Sequence, residues 1–290
     1  MFSKSCILAG EYTFPVLVSY YFFDETVESS IGSFVILNNE GWIITAAHVI
    51  DSASLWQQHA TEIQKYNEAV AYIESNNRLD EKEKKRRVLK LTPNQKWIKS
   101  FSYWWGADKH IVDQWHILKE NDIAVGHIKN YDPAFIKNYP VFKEPANLQH
   151  GTSLCKMGFP FYDIKANYSK ETNSFSFGPS VFPIPRFPLE GMFTRDIAAG
   201  KSADGQYDIR FLETSSPGLR GQSGGPIFDT EGRIWAIQSQ TRHLPLGFSP
   251  KIKTGNKEIE ENQFLNVGWG AHVETILKFL DSHSIKYEMR

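Results

Sequence analysis

Two cysteines in 290 residues are too few for a disulfide framework, and Cys6 and Cys155 stand so far apart that they form no metal or redox spacing. An excess of one charge is also missing. With 32 Lys+Arg against 33 Asp+Glu, the net charge of −1 excludes the basic footprint of a nucleic-acid binder and gives no anchor for an anionic membrane surface. No run approaches the ~18 apolar residues of a membrane span, and the apolar stretch after Lys4 is too short for a secretory signal. The expectation is a soluble, cytoplasmic protein. The nine histidines include no pair at ligand spacing such as His-Glu-x-x-His, so neither a metal nor another cofactor is expected. There is no internal repeat and no low-complexity tract.

What is present is apolar and aromatic sequence, 41% and 14% of the chain, enough to bury a sizeable core. Val, Tyr and Phe from Tyr12 to Phe23 and the run Ile31–Leu37 read as strands, and the turn 38–41 returns into a further strand at Trp42–Thr45. Between Ser52 and Lys90 the pattern becomes helical. Trp56, Ala60, Ile63, Tyr66, Val70 and Ile73 share one face, and Asp80–Lys84, Glu81–Lys85 and Glu83–Arg87 stand at ion-pair spacing. Strands resume at Trp97–Trp105, Ile111–Leu118 and Ile123–Ile128. A proline-bearing linker from 133 to 150 suggests a boundary, with domains 1–145 and 146–290. The second half reads as strands at Ser153–Pro160, Ile209–Thr214, Ile227–Phe228, Arg233–Gln238 and Leu265–Ala271. Irregular stretches at 162–190 and 245–262 interrupt them, and an amphipathic helix covers 272–282.

Three places carry the elements of nucleophilic chemistry. Gly221-Gln222-Ser223-Gly224-Gly225-Pro226 sets a hydroxyl among glycines, where the absence of Cβ atoms lets backbone amides approach whatever the hydroxyl attacks. Ala46-Ala47-His48 ends a strand with an imidazole beside small neighbours, and Asn121-Asp122 places a carboxylate at the head of an apolar strand. Each alone is an ordinary turn or strand end.

Thr45-Ala46-Ala47-His48, Asn121-Asp122-Ile123-Ala124 and Gly221–Pro226, in that order, resemble the three signature blocks of the chymotrypsin-like (trypsin-fold) serine peptidases, most nearly the bacterial HtrA/Deg-type branch. The resemblance covers residues 7–50, 110–130 and 150–282, and no PDZ module is expected after it. It implies an all-β fold of two antiparallel six-stranded β-barrels, with a helical insertion at about 52–92 in the first barrel and a C-terminal helix. It also implies a catalytic triad of Ser223 as nucleophile, His48 as base and Asp122 as its orienting acid. The amides of Gly221 and Ser223 would form the oxyanion hole, where losing one donor costs about 3–4 kcal/mol of barrier.

Gln222 departs from the trypsin branch, whose aspartate before the serine pairs with a new N-terminal amine. Cleavage before Ile7 is therefore not expected, and Ile7 is read as the start of the first strand. By the same resemblance Pro217, flanked by Ser216 and Gly218, floors the primary specificity pocket, and Ser239, Gln240 and Thr241 bind the substrate backbone. No acid lies there, which implies an uncharged P1 residue. Protein or peptide substrates are the implied partners, together with a regulatory protein docking on the insert 52–108 or on the long loops. The alternative is a catalytically silent binding protein on the same fold.

Overall fold

The computed structural model describes residues 1–145, 148–254, 257–260 and 263–290. The chain begins with helix α1, Ser3–Tyr12, and continues into β1 (Thr13–Phe22), β2 (Val27–Ile36) and β3 (Trp42–Ala46). Helices α2 (Ser52–Glu74) and α3 (Glu81–Lys90) precede β4 (Ile98–Trp105), β5 (Val112–Leu118), β6 (Ile123–Ile128) and the short β7 (Val141–Phe142). The second half contributes β8 (Ser153–Gly158), β9 (Ala166–Ser169), β10 (Ser174–Phe177), β11 (Phe187–Lys201), β12 (Asp208–Thr214) and β13 (Pro226–Phe228). It closes with β14 (Ile234–Pro245), β15 (Lys251–Thr254), β16 (Lys257–Glu260), β17 (Phe264–His272), α4 (Val273–Ser282) and β18 (Glu288–Met289).

The first sheet runs β4-β1-β2-β3-β6-β5, all neighbours antiparallel, and stays open between β4 and β5. The second follows the same order of connections, β8-β11-β12-β17-β14-β13, and closes because β13 also pairs with β8. The expected pair of six-stranded antiparallel barrels is therefore present, the second as a complete ring and the first with a seam. Closure leaves no free strand edge in the second ring, whereas in the first β4 and β5 do not pair and meet through the Trp105 and Trp115 rings, 5.4 Å apart. Val16, Phe34, Ile43, Ile44, Ile123 and Val125 of the first sheet are buried in one core cluster that also takes in Phe211, Ile276 and Leu280 of the second half, and Leu154, Leu212, Ile227 and Ala236 form a separate cluster in the second ring.

The insertion leaves β3 and returns to β4, as the apolar face of α2 required. Tyr66 meets the rings of Phe23 and Trp97 edge-on, and His59 Nδ1 accepts from the Ile98 amide at 2.9 Å. Trp56, expected on that face, stays partly exposed but reaches β4 twice, its ring lying 5.7 Å from that of Phe101 and its Nε1 donating to the Lys99 carbonyl. Of the three expected ion pairs only Glu83–Arg87 forms. Asp80 instead caps α3 by accepting from the Glu83 amide at 2.7 Å, and Glu81 pairs with Lys84.

Three expectations change. Ile7 does not begin a strand: it lies exposed on α1, whose other side seats Ala9 and Tyr12 in the core and rests Phe2 on Phe228. The stretch 162–190 contains the hairpin β9–β10, where Tyr168 stacks on Tyr21 of the first barrel. The described part of 245–262 contains the β15–β16 hairpin. The placed boundary at 145/146 and the remainder of 245–262 run into residues outside those described. Cys6 and Cys155, distant in sequence, bring their sulfurs to 3.8 Å where α1 crosses β8, and both thiols are free. No helix among the described residues is long and apolar enough to cross a membrane.

Candidate active site

The antiparallel register of β3 and β6 places Ala46 opposite Ile123, so the residues just after β3 and just before β6 become neighbours. His48 sits in the short 3-10 turn that follows β3, and Asp122 takes the left-handed conformation (φ 55°) that a short polar side chain tolerates. The backbone locks the two turns together, with the Ala47 amide donating to the Asp122 carbonyl at 3.0 Å. His48 Nδ1 then lies 2.8 Å from Asp122 Oδ2 and 3.1 Å from Oδ1. The carboxylate is held from two further directions, by the His48 amide on Oδ1 at 2.9 Å and by the Ser239 hydroxyl on Oδ2 at 2.6 Å.

Ser223 arrives from the second barrel. The pairing of β14 with β17 loses register between Gln238 and Gln240, which turns the bulged Ser239 toward the first barrel. Its carbonyl receives the Ser223 hydroxyl at 3.4 Å, and its own hydroxyl holds Asp122. Ser223 and His48 face one cleft of about 890 Å³, and the Ser223 hydroxyl is directed to the Ser239 carbonyl rather than to His48. Catalytic hydrogen bonds of this kind commonly tighten only with substrate in place.

The turn that carries Ser223 is fastened from within the chain. The Gln222 amide donates to the Leu219 carbonyl at 2.9 Å, closing a four-residue turn whose third residue, Gly221, has φ 95°. The Gly221 carbonyl is taken by the Ser33 hydroxyl at 2.6 Å and the Phe159 amide at 2.9 Å. The fully buried Gln222 side chain accepts from the Leu219 amide at 3.0 Å. Packing and a carboxamide thus stand where an N-terminal ion pair would hold the loop. The Gly221 and Ser223 amides have no acceptor among the described residues, so both remain free to donate.

A family model for the trypsin-like peptidase domain matches residues 32–237, which contain all three candidate residues. The chain belongs to this family. No curated protein matches it. Among solved structures it is similar to the Rv3671c protease from M. tuberculosis in its active form, at 10% identity and a TM-score of 0.48, over 98% of this chain and 87% of that one. It is also similar to the HtrA-type protease AlgW with a tripeptide, at 14% identity and a TM-score of 0.47, over 97% of this chain and 63% of that one.

In this trypsin-like peptidase domain the hydrogen bond from His48 to Asp122 raises the imidazole pKa above its ordinary value; burial opposes the rise, and the nearby charges of Asp122 and Asp51 add to it. A base must be neutral to accept a proton, so kcat/KM is expected to climb as pH rises through a His48 pKa above about 6.5. A pH profile on a peptide substrate checks this. An acid limb centred below that value would contradict the pairing.

The pocket beside Ser223, about 160 Å³, is walled by Gly218, Leu219 and Arg220 on one side and by Gln238, Ser239, Gln240 and Thr241 on the other. Ser239, Gln240 and Thr241 are among the residues that line it. Pro217 does not line it: the Pro217 and Ser216 carbonyls turn away to accept from Lys156 Nζ, at 2.8 and 2.5 Å, and Gly218 forms the wall. Lys156 is wholly buried, and burial pulls its pKa down to about 7. Sequence reasoning missed Ser33, Lys156 and Gln238. Ser33 carried no local signal, but a lysine and a glutamine inside apolar strands did.

Proposed function

We propose that the chain is a serine endopeptidase that cleaves protein substrates through an acyl-enzyme. The observation that carries this reading is the His48–Asp122 pair, anchored by Ser239, facing Ser223 across one cleft. The substrate carbonyl lies over Ser223, and the Gly221 and Ser223 amides receive its oxygen as negative charge develops there. His48 Nε2 takes the Ser223 proton as the hydroxyl attacks, and Asp122 holds Nδ1–H and stabilises the imidazolium. The same proton passes to the departing amine. Water, deprotonated by His48, then releases the acyl group and restores Ser223.

A fluorophosphonate probe tests this directly. Wild type is expected to be labelled on Ser223, and Ser223→Ala is expected to remain unlabelled. Absence of labelling under every condition would favour the silent binding protein. Labelling only in the presence of other proteins would assign control to a partner, for which the insert offers the exposed Tyr72 and Leu89.

A further inference from the structure

Two cavities meet at Ser223, and they differ in size and lining. The primary pocket of about 160 Å³ lies toward β14, whereas the cleft of about 890 Å³ extends the other way, between the β1–β2 side of the first barrel and the segment 161–164. Of the two, only the larger has His48 in its wall. The leaving amine takes its proton from His48 and so departs on that side, which carries the residues after the scissile bond into the larger cleft.

The lining of that cleft is mostly apolar. Val18, Val49 and Ile164, at most 9% exposed, lie at its base, and Ile31 and Leu219 stand half-buried in its walls. Phe161 is different, being 78% exposed on a backbone with φ 61°, a left-handed conformation that a bulky side chain rarely takes. Strain of this kind persists only where the surrounding structure imposes it, and it gathers at ligand clamps. Main-chain groups are available as well. β2 pairs with β1 along 27–35 but with β3 only at Val35 and Ile36, so among the described residues the cleft-lining stretch 29–32 has no strand hydrogen-bonded on its second edge.

Building on the endopeptidase reading, we propose that this cleft selects the residues after the scissile bond, taking a large apolar or aromatic side chain at P1′ or P2′ against Phe161, Ile31 and Leu219. Burial of such a side chain is expected to raise kcat/KM about 10-fold or more over glycine at the same position. A charged side chain gains nothing comparable, because Asp163 and Arg220, exposed in the walls, are of opposite sign.

Two measurements separate this proposal from the endopeptidase reading. The first is a peptide library randomised over the two residues after the cleavage site, read on wild type and on Phe161→Asn, a substitution that suits the left-handed backbone and removes the ring. Wild type is expected to favour Phe, Leu, Met and Trp about 10-fold or more over Gly, Ser and Asp, and the variant to lose most of that preference. An even or polar profile would overturn the cleft assignment and leave the peptidase standing, and so would an apolar preference that the variant keeps in full. The second measurement needs no cleavage: calorimetry on Ser223→Ala with peptides identical but for one Phe or Gly. Tighter binding of the Phe peptide, weakened by adding Phe161→Asn, in a protein that cleaves nothing would keep the cleft and overturn the peptidase. Neither cleavage nor such binding would overturn both. A thermal melt checks that Phe161→Asn is folded; if it is not, Ile31→Thr, which keeps a β-branched side chain in β2, takes its place.

Discussion

Asp122→Asn is expected to lower kcat by about 10,000-fold while leaving KM and the melting temperature close to wild type. Both carboxylate oxygens are committed: Oδ1 receives the His48 backbone amide, and Oδ2 receives the Ser239 hydroxyl and lies nearest His48 Nδ1. An asparagine must keep its oxygen toward the backbone amide, which can only donate. The Ser239 hydroxyl can rotate to accept, so the new NH2 group faces Ser239 and His48 Nδ1. Nδ1 then becomes an acceptor, the ring proton moves to Nε2, and Nε2 can no longer take the Ser223 proton. Steady-state kinetics and a thermal melt on one preparation check this. Activity within 10-fold of wild type would show that Asp122 does not set the tautomer.

Gly224→Ala is expected to destabilise the protein by at least about 3 kcal/mol, because it combines a left-handed backbone with a blocked Cβ. Gly224 has φ 85°, and a Cβ there would overlap the Ser33 carbonyl oxygen and Thr45 Oγ1, which are themselves hydrogen-bonded at 2.7 Å. Neither atom can retreat without opening the β2–β3 side of the first barrel. Gly200→Ala is the control. That glycine has φ 100° with nothing within 4 Å of the added atom, so only the backbone strain is incurred, about 1 kcal/mol. Urea denaturation of both variants separates the contributions. Equal losses would mean that the contact between the barrels at Gly224 yields freely.

How much was legible in the chain differs from element to element. The strands around His48 and Asp122 could be read because each is a short apolar run bounded by turn residues, and α2 and α4 because their apolar positions recur at helical spacing. The start of the chain misled, since Ile7-Leu8-Ala9 has a strand-like composition but Phe2, Cys6, Leu8, Ala9 and Tyr12 meet the core while Ile7 stays exposed. The stretches at 162–190 and 245–262 looked irregular because hairpins of four-residue strands are too short for periodicity to register. Pro217, expected as the pocket floor, is not among the residues lining the pocket beside Ser223. Counting back from Ser223 reaches Pro217, but nothing local reveals that Lys156 draws its carbonyl away from the cavity.

By itself the sequence determined the chemistry on offer: a hydroxyl among glycines, an imidazole after one strand, a carboxylate before another, and a glutamine where an ion-pairing aspartate would make the loop depend on cleavage. The first three are properties of residue type and local spacing and the meaning of the glutamine comes from the family resemblance, so all four survive without coordinates. Only the tertiary structure decided how the parts are held. Register across β3 and β6 joins His48 to Asp122, a bulge in β14 swings Ser239 between the barrels, and Ser33 reaches over to the carbonyl of Gly221. It also decided that Gln238 Oε1 is left without a donor. Each of these contacts joins segments remote in sequence or depends on the balance of donors and acceptors inside a closed space, and no local pattern encodes that balance.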